Sequence, residues 1–460
     1  MQIKLEMKRK KWYQFLLAGV VTVSSLGVYA QEIVKDSMQI MREDIDAASI
    51  SIKKLQKLRI SGYIQMQTEV AQEYGRTRTG STTTYQPERD GKSGDFVRYG
   101  IRRGRVRIGW EEKFGLAVFQ FDITERDLFS IRDAFFKVWD PWKRIVTLTA
   151  GLFDRPFGDE ISFSSNRRES PERSRVFVDL FPEERDLGAE LTIASPKGFV
   201  LEGLRLDAGL FSGNGIHQDD NSKMDFIGHL KYDKRWSQMS FGIGASMYHG
   251  KTNNASNYIY KTVKYNDEWI WQRSDSMEIN QGNKRQYFGI DAQYSIETNS
   301  GITNIRGEFL AGTQPSRAGS FGSPRADSYD RNAPYNYMRK FIGGHAYLVQ
   351  DIYKTPLTFV FKYTYINPNT EWKEKKTNTA DLAYHTYGFG LLWKITSYIR
   401  LQAYYDILVN EKSETANPID PATGLHHPIP TRTPTGKGKD LDFGRDIADN
   451  IFTLRLQYRF

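Results

Sequence analysis

The chain contains no cysteine. That excludes a disulfide framework, a thiolate zinc site and a thiol nucleophile. Beyond residue 30 it also lacks any long apolar run, so no transmembrane helix of about 20 residues fits. Mean hydropathy is low, −0.57, and 26% of the residues are charged. These absences exclude a helical membrane protein. They do not exclude a membrane β-barrel, in which only alternate residues of each strand touch lipid. Histidine is scarce, and none of His217, His229, His249, His345, His385, His426 and His427 stands in a recognisable nucleophile motif. No enzyme and no cofactor is expected. His426 and His427, adjacent and set among prolines, cannot easily aim both rings at one ion, so no metal is expected either.

What is present starts with a basic N-terminus. Lys4, Lys8, Arg9, Lys10 and Lys11 precede an apolar stretch from Phe15 to Leu26, followed by Val28-Tyr29-Ala30. A basic region, an apolar core too short to span a bilayer and small residues three and one before the cut predict a signal peptide over 1–30. Without that leader the formal net charge falls from +9 to +5, so placement of charge matters more than its size. Val34, Met38, Met41, Ile45, Ala48, Ile52 and Leu55 follow at gaps alternating four and three, a heptad seam. The spacing predicts a short periplasmic helix within 31–57. It either zips with the helices of two further copies or lies alone on a barrel mouth.

From Leu58 the period switches to two. Phe452, Leu454, Leu456, Tyr458 and Phe460 interleave with Thr453, Arg455, Gln457 and Arg459, a strand apolar on one face and charged on the other. An aromatic terminus on such a strand is expected of a closing barrel strand, read by the barrel-assembly machinery. Sixteen strands are expected near 58–67, 98–110, 116–123, 128–139, 144–153, 187–194, 199–211, 223–232, 237–249, 286–296, 301–313, 338–350, 357–366, 384–395, 399–409 and 450–460. Short turns alternate with longer polar loops, as outer-membrane barrels do. The predicted fold over 58–460 is therefore an all-β, 16-stranded antiparallel membrane barrel in outer-membrane lipid. Trp110, Phe114, Trp139, Trp142, Tyr398 and Phe460 lie near strand ends, where girdles are expected.

An Arg at the bilayer midplane on the lipid face costs about 2–4 kcal/mol, so strand charges should point inward. This register gives an inward basic set of Arg59, Arg103, Arg105, Arg107, Lys137, Arg205, Lys231, Arg306, Lys362, Lys394, Arg400, Arg455 and Arg459. The acidic set is Asp122, Asp133, Glu190, Asp207, Asp291, Glu308 and Asp406, leaving a basic excess in the bore. A positive bore concentrates anions and repels cations. Arg103, Arg105 and Arg107 recur every second residue, a ladder along which an anion could pass, with Arg59, Arg455 and Arg459 on the neighbouring strands. The alternative is that these arginines pair with wall and loop carboxylates. Residues 154–186 are long for a loop and are expected to fold inward. They carry Arg167, Arg168, Arg173 and Arg175 as candidates for a constriction, yet nine acids against six arginines and no lysine.

The sequence resembles the phosphate-selective porin O/P family. The resemblance rests on GLFDRPFG at 151–158, FPEERDLGAEL at 181–191, FVRYGIRRGRVRIGW at 96–110 and IRDAFFKVW at 131–139. It implies a trimeric sixteen-stranded barrel, an inward third outer loop and anion selectivity from arginine and lysine, with Arg103, Arg105 and Arg107 as the matching basic strand. Family members selective for phosphate concentrate lysines in that loop, and this chain has none there. The expected function is passive diffusion of small hydrophilic solutes, anions preferred. The rival is a barrel plugged by its loops and used as a binding or docking surface. Nucleic acid is not an expected partner, because the basic residues point inward.

Overall fold

The computed structural model describes residues 41–460 except 43, 47, 48, 50, 51, 53, 80–94, 125–128, 218, 220, 254, 255, 257, 276–281, 325–335, 374, 375, 377, 414–431, 435–439, 443 and 444. The signal peptide, seam residues Val34, Met38 and Ala48, and the His426-His427 pair lie outside the described residues. The chain divides into two units, residues 1–59 and 60–460. In the first, Met41, Ile45, Ile52 and Leu55 are helical, and all four are exposed.

The second unit is built from β1 (Leu58–Ala71), β2 (Phe96–Glu112), β3 (Gly115–Ile123), β4 (Ser130–Trp139), β5 (Val146–Asp154), β6 (Arg185–Ala194), β7 (Leu204–Phe211), β8 (Asp225–Arg235) and β9 (Met239–Thr252). Further on come β10 (Ile259–Tyr265), β11 (Glu268–Ser274), β12 (Asn283–Thr298), β13 (Gly301–Ser316), β14 (Tyr337–Asp351), β15 (Leu357–Asn367), β16 (Tyr384–Lys394) and β17 (Ile399–Asn410). Last are β18 (Arg432–Pro434), β19 (Asp440–Asp442) and β20 (Ile451–Arg459). Antiparallel pairing runs from β1 to β9, on to β12 through β17, and then to β20, which pairs back with β1. Sixteen strands thus close on themselves, so the ring they form has no open edge. The closing register sets Gln65 opposite Gln457 and Gln67 opposite Arg455.

β10 and β11 form a hairpin outside this ring. Asn266 and Asp267, at φ 49° and 65°, supply the left-handed turn it needs. A short parallel pairing attaches it to the outer end of β14.

Alternation holds along most strands. On β20, Phe452, Leu454, Leu456 and Tyr458 are exposed outward, whereas Thr453, Arg455 and Gln457 are buried inside. Trp110, Phe114, Trp142, Tyr398 and Phe460 are exposed near strand ends. Trp139 is not: it is buried, with the Arg144 guanidinium 4.1 Å from its ring centre. Its parity puts it inside, and parity outweighs proximity to the interface.

Two strands break step at their arginines. On β2 the exposed apolar residues are Val97, Tyr99 and Ile101 and then, after a change of phase, Trp110. Arg102 and Arg103 sit at the change and both turn inward. On β4 the register with β3 slips between Gln120 and Phe121, leaving Arg132 as the extra residue beside Asp133.

Candidate functional site

The segment between β5 and β6 enters the barrel. Its base is a clasp of two motifs. Arg155 Nε donates to Asp186 at 2.9 Å, a pair almost wholly buried. Arg185 bridges Asp154 at 3.2 Å and Asp133 on β4 at 2.9 Å. Asp186 also accepts from Ser212 Oγ and from the backbone N–H groups of Gly213 and Gly215. GLFDRPFG and RDLG therefore hold one another, and IRDAFFKVW supplies the third member. Gly158 closes the first motif at φ 60°. A Cβ there would collide with the Glu308 carboxylate, and its N–H donates to Ser246 Oγ at 2.9 Å.

Past Gly158 the chain crosses the bore and returns. Asp159 pairs with Lys231 at 2.7 Å, and Glu308 accepts from the N–H groups of Asp159 and Glu160. On the far wall Ser165 meets Tyr63 and Arg105, and Asn166 O accepts from Gln457 at 3.0 Å. Glu169 then pairs with Arg306 at 2.5 Å, and Ser170 with Tyr347 at 2.8 Å. Acidic residues of the segment thus meet basic wall residues at Asp159 and Glu169. On the way back a helix, Arg175–Leu180, packs Val176, Phe177 and Leu180 with Phe157, Ile161 and Phe181. Facing them from the wall are Phe211, Ile227, Tyr248, Tyr287, Leu310, Phe341 and Ile366, all buried. That side of the lumen is a largely aromatic core, in which Tyr248 donates its O–H to Asp225 at 2.7 Å.

The ladder expected on β2 is not a row of open guanidiniums. Arg103 pairs with Glu172 at 2.9 Å, Arg105 with Asp122 at 2.9 Å and Arg107 with Asp133 at 3.4 Å. Arg103 and Arg105 are buried, and only Arg107 keeps a broad open surface, 42% of its side chain. The physical reason is that a guanidinium removed from water requires a counter-ion. Two of the constriction candidates also turn away from solute. Arg173 is buried, donates to the carbonyls of Glu160 and Ile161 and pairs with Glu184. Arg175 stacks 3.5 Å over the Tyr384 ring beside Asp179. Arg167 is exposed, and Arg459 is exposed and donates to Ser397 O. Arg59, near the start of β1, is exposed.

Arg102, Arg103 and Arg455 converge instead on one carboxylate. Glu172 accepts from Arg102 Nε at 2.8 Å and Nη2 at 2.9 Å, from Arg103 Nη2 at 2.9 Å and from Arg455 Nη2 at 2.9 Å. Burial alone would raise the Glu172 carboxyl; the guanidiniums of Arg102, Arg103 and Arg455 hold it well below the ordinary carboxylate range. Strict alternation assigns Arg102 to lipid, so sequence reading missed it. The signal was available in the switch from odd to even apolar positions across RR.

Arg168 has less. It is 2% exposed, its Nη2 donates to Phe163 O at 3.3 Å, and its Nε and Nη1 have no partner among the described residues. It lines a cavity of about 160 Å³ together with Arg306, Lys231, Glu308 and Tyr347. Lys137 lies over the Phe135 ring at 5.5 Å, and Arg400 donates to Arg167 O and to Gln457 rather than to a carboxylate. No metal-binding cluster of His, Asp or Glu occurs among the described residues.

Residues 105–312 match the family described as phosphate-selective porin O and P. Among solved structures, Salmonella typhi OmpF in complex with daunomycin is similar at 11% identity and a TM-score of 0.50, covering 88% of this chain and 97% of that one. OmpT, an outer-membrane protein of Vibrio cholerae in trimer form, gives 8%, 0.48, 88% and 99% in the same order. Pseudomonas putida OprB at high pH gives 8%, 0.49, 90% and 97%. No curated protein sequence matches the chain.

Proposed function

We propose, taking as premise that the chain is an outer-membrane porin with the phosphate-selective porin O and P match over residues 105–312, that its bore passes small hydrophilic solutes with a preference for anions. The observation that carries this reading is a local surplus of guanidinium over carboxylate around Glu172. Arg102, Arg103 and Arg455 share the single carboxylate of Glu172, and Arg168 and Arg400 have none within ion-pair distance among the described residues. In a low-dielectric wall such an excess raises local anion concentration and disfavours cations. Ion pairs along the route leave dipoles but no net field, so selectivity rests on the unpaired cations.

The test follows from that distinction. In planar bilayers under a salt gradient, the double variant K137Q/R400Q should lower the anion-to-cation permeability ratio several-fold, roughly as expected for loss of unpaired charge from a narrow passage. Neither residue anchors the barrel through a carboxylate, so folding should be retained. A reversal potential identical to that of the parent protein would remove the reading.

Three copies are expected to assemble through the N-terminal helix. Support comes from the exposed seam residues Met41, Ile45, Ile52 and Leu55, apolar surface that a helix keeps dry by zipping with its like. Replacing Ile45 and Ile52 by Lys should shift the detergent-solution mass, measured by sedimentation, toward one barrel. An unchanged mass would mean that the helix does not join the copies.

A further inference from the structure

We infer that Glu172 is a tethered anion occupying a three-arginine site, and that a solute oxyanion, phosphate or carboxylate, competes with it for Arg102, Arg103 and Arg455. The inference rests on the anion-preferring reading above and adds a self-inhibiting contact to it.

The geometry is that of a ligand in a site rather than of a simple ion pair. Arg102 grips both carboxylate oxygens with its fork, through Nε to Oε1 and Nη2 to Oε2. Planar two-point recognition of this kind serves carboxylates and phosphates alike. Arg103 adds Nη2 at 2.9 Å and Nη1 at 3.4 Å from β2, and Arg455 adds Nη2 from β20, strands on either side of β1. The wall and the segment hold further donors of these two arginines. Arg103 Nη1 reaches Gln65 at 3.1 Å, while Arg455 Nε reaches Gln67 at 2.7 Å and Arg455 Nη1 reaches Pro171 O at 2.7 Å. The cradle is thus preorganised, which cuts the cost of gripping an incoming anion.

Charge does not balance with Glu172 in place: three guanidiniums face one carboxylate. Nor is the site sealed, since 23% of the Glu172 side chain and 22% of the Arg102 side chain remain exposed. The backbone of Glu172 is held separately, its carbonyl accepting from Lys362 Nζ at 3.0 Å and from Ser170 Oγ at 2.7 Å. The side chain can therefore swing out while the segment stays tied at Ser165, Glu169 and Ser170. An acidic residue here keeps the guanidiniums compensated in an empty channel, where an unpaired buried charge is costly.

The test uses the whole protein in planar bilayers. Inorganic phosphate is titrated against chloride conductance, with acetate in a parallel arm to separate phosphate from carboxylate. E172Q keeps the shape and removes the competing charge. It should tighten the half-blocking phosphate concentration about tenfold or more, a change worth roughly 1.4 kcal/mol or more. E172D, which keeps the charge but shortens its reach, should show a smaller shift in the same direction. E169Q loosens the segment at a carboxylate that pairs, among the described residues, with Arg306 alone, and should leave the phosphate block unmoved. An anion-selective parent with equal block in E172Q and E172D would overturn the tethered-anion inference while leaving the porin reading intact. A parent protein without anion selectivity would overturn the reading beneath it.

Discussion

Asp186→Ala should be the most destabilising single substitution at the base of the inward segment, costing about 3–5 kcal/mol, the range for breaking a buried ion pair from one side. The change strands Arg155, 2% exposed and with no other carboxylate within reach among the described residues. It also removes the acceptor for Ser212 Oγ and for the N–H groups of Gly213 and Gly215, which shape the connection leaving β7. Two outer connections would lose their anchor at once. The measurement is the denaturant midpoint of barrels folded in detergent, followed by the gel shift between folded and unfolded bands. Asp186→Asn, which retains acceptor capacity and loses charge, should fall between parent and Ala. If Ala and parent melt together, the clasp contributes nothing and the interlocking of the two motifs has no energetic meaning.

The barrel was legible because its signal is periodic. Phe452 to Phe460 alternate without interruption, and the sixteen closed strands follow from repeating that pattern. The site was legible only in outline. Inward parity is found for Arg103, Arg105, Arg107 and Arg455, but parity says nothing about partners. Those partners, Glu172 above all, come from a segment far away in sequence whose path no local rule dictates. Arg102 and Arg132 were missed for a different reason: each sits where a strand drops one step, and strict alternation cannot express a bulge. The aromatic side of the lumen was hidden as well. Tyr248, Tyr287 and Phe341 occupy inward positions in strands read as lining water, and only the burial of Phe157, Phe177 and Phe181 against them explains why.

Those rings set up the second large effect. Phe181 is fully buried, with ring centres of Phe157 at 4.9 Å, Tyr287 at 5.6 Å, Phe177 at 5.7 Å and Tyr248 at 6.0 Å. Two of these neighbours belong to the segment and two to the wall, so this ring joins them. Truncation to Ala removes the joint and leaves a cavity, a change worth about 3–5 kcal/mol for a buried Phe. The strand ladder does not depend on that contact, so the loss should fall on docking of the segment rather than on closure of the barrel. Trypsin reports this directly, because the buried Arg168 and Arg173 are cleavable only when the segment opens. Where reclosing outpaces cleavage, the rate follows the open population, and 3 kcal/mol corresponds to roughly a hundredfold. Phe181→Ala in folded barrels should therefore be nicked at these arginines about a hundredfold faster while its folded gel band persists. Cleavage at the parent rate would show that the polar ties at Glu172, Glu169 and Ser165 hold the segment without the aromatic core. The lumen would then owe its shape to charge pairing alone.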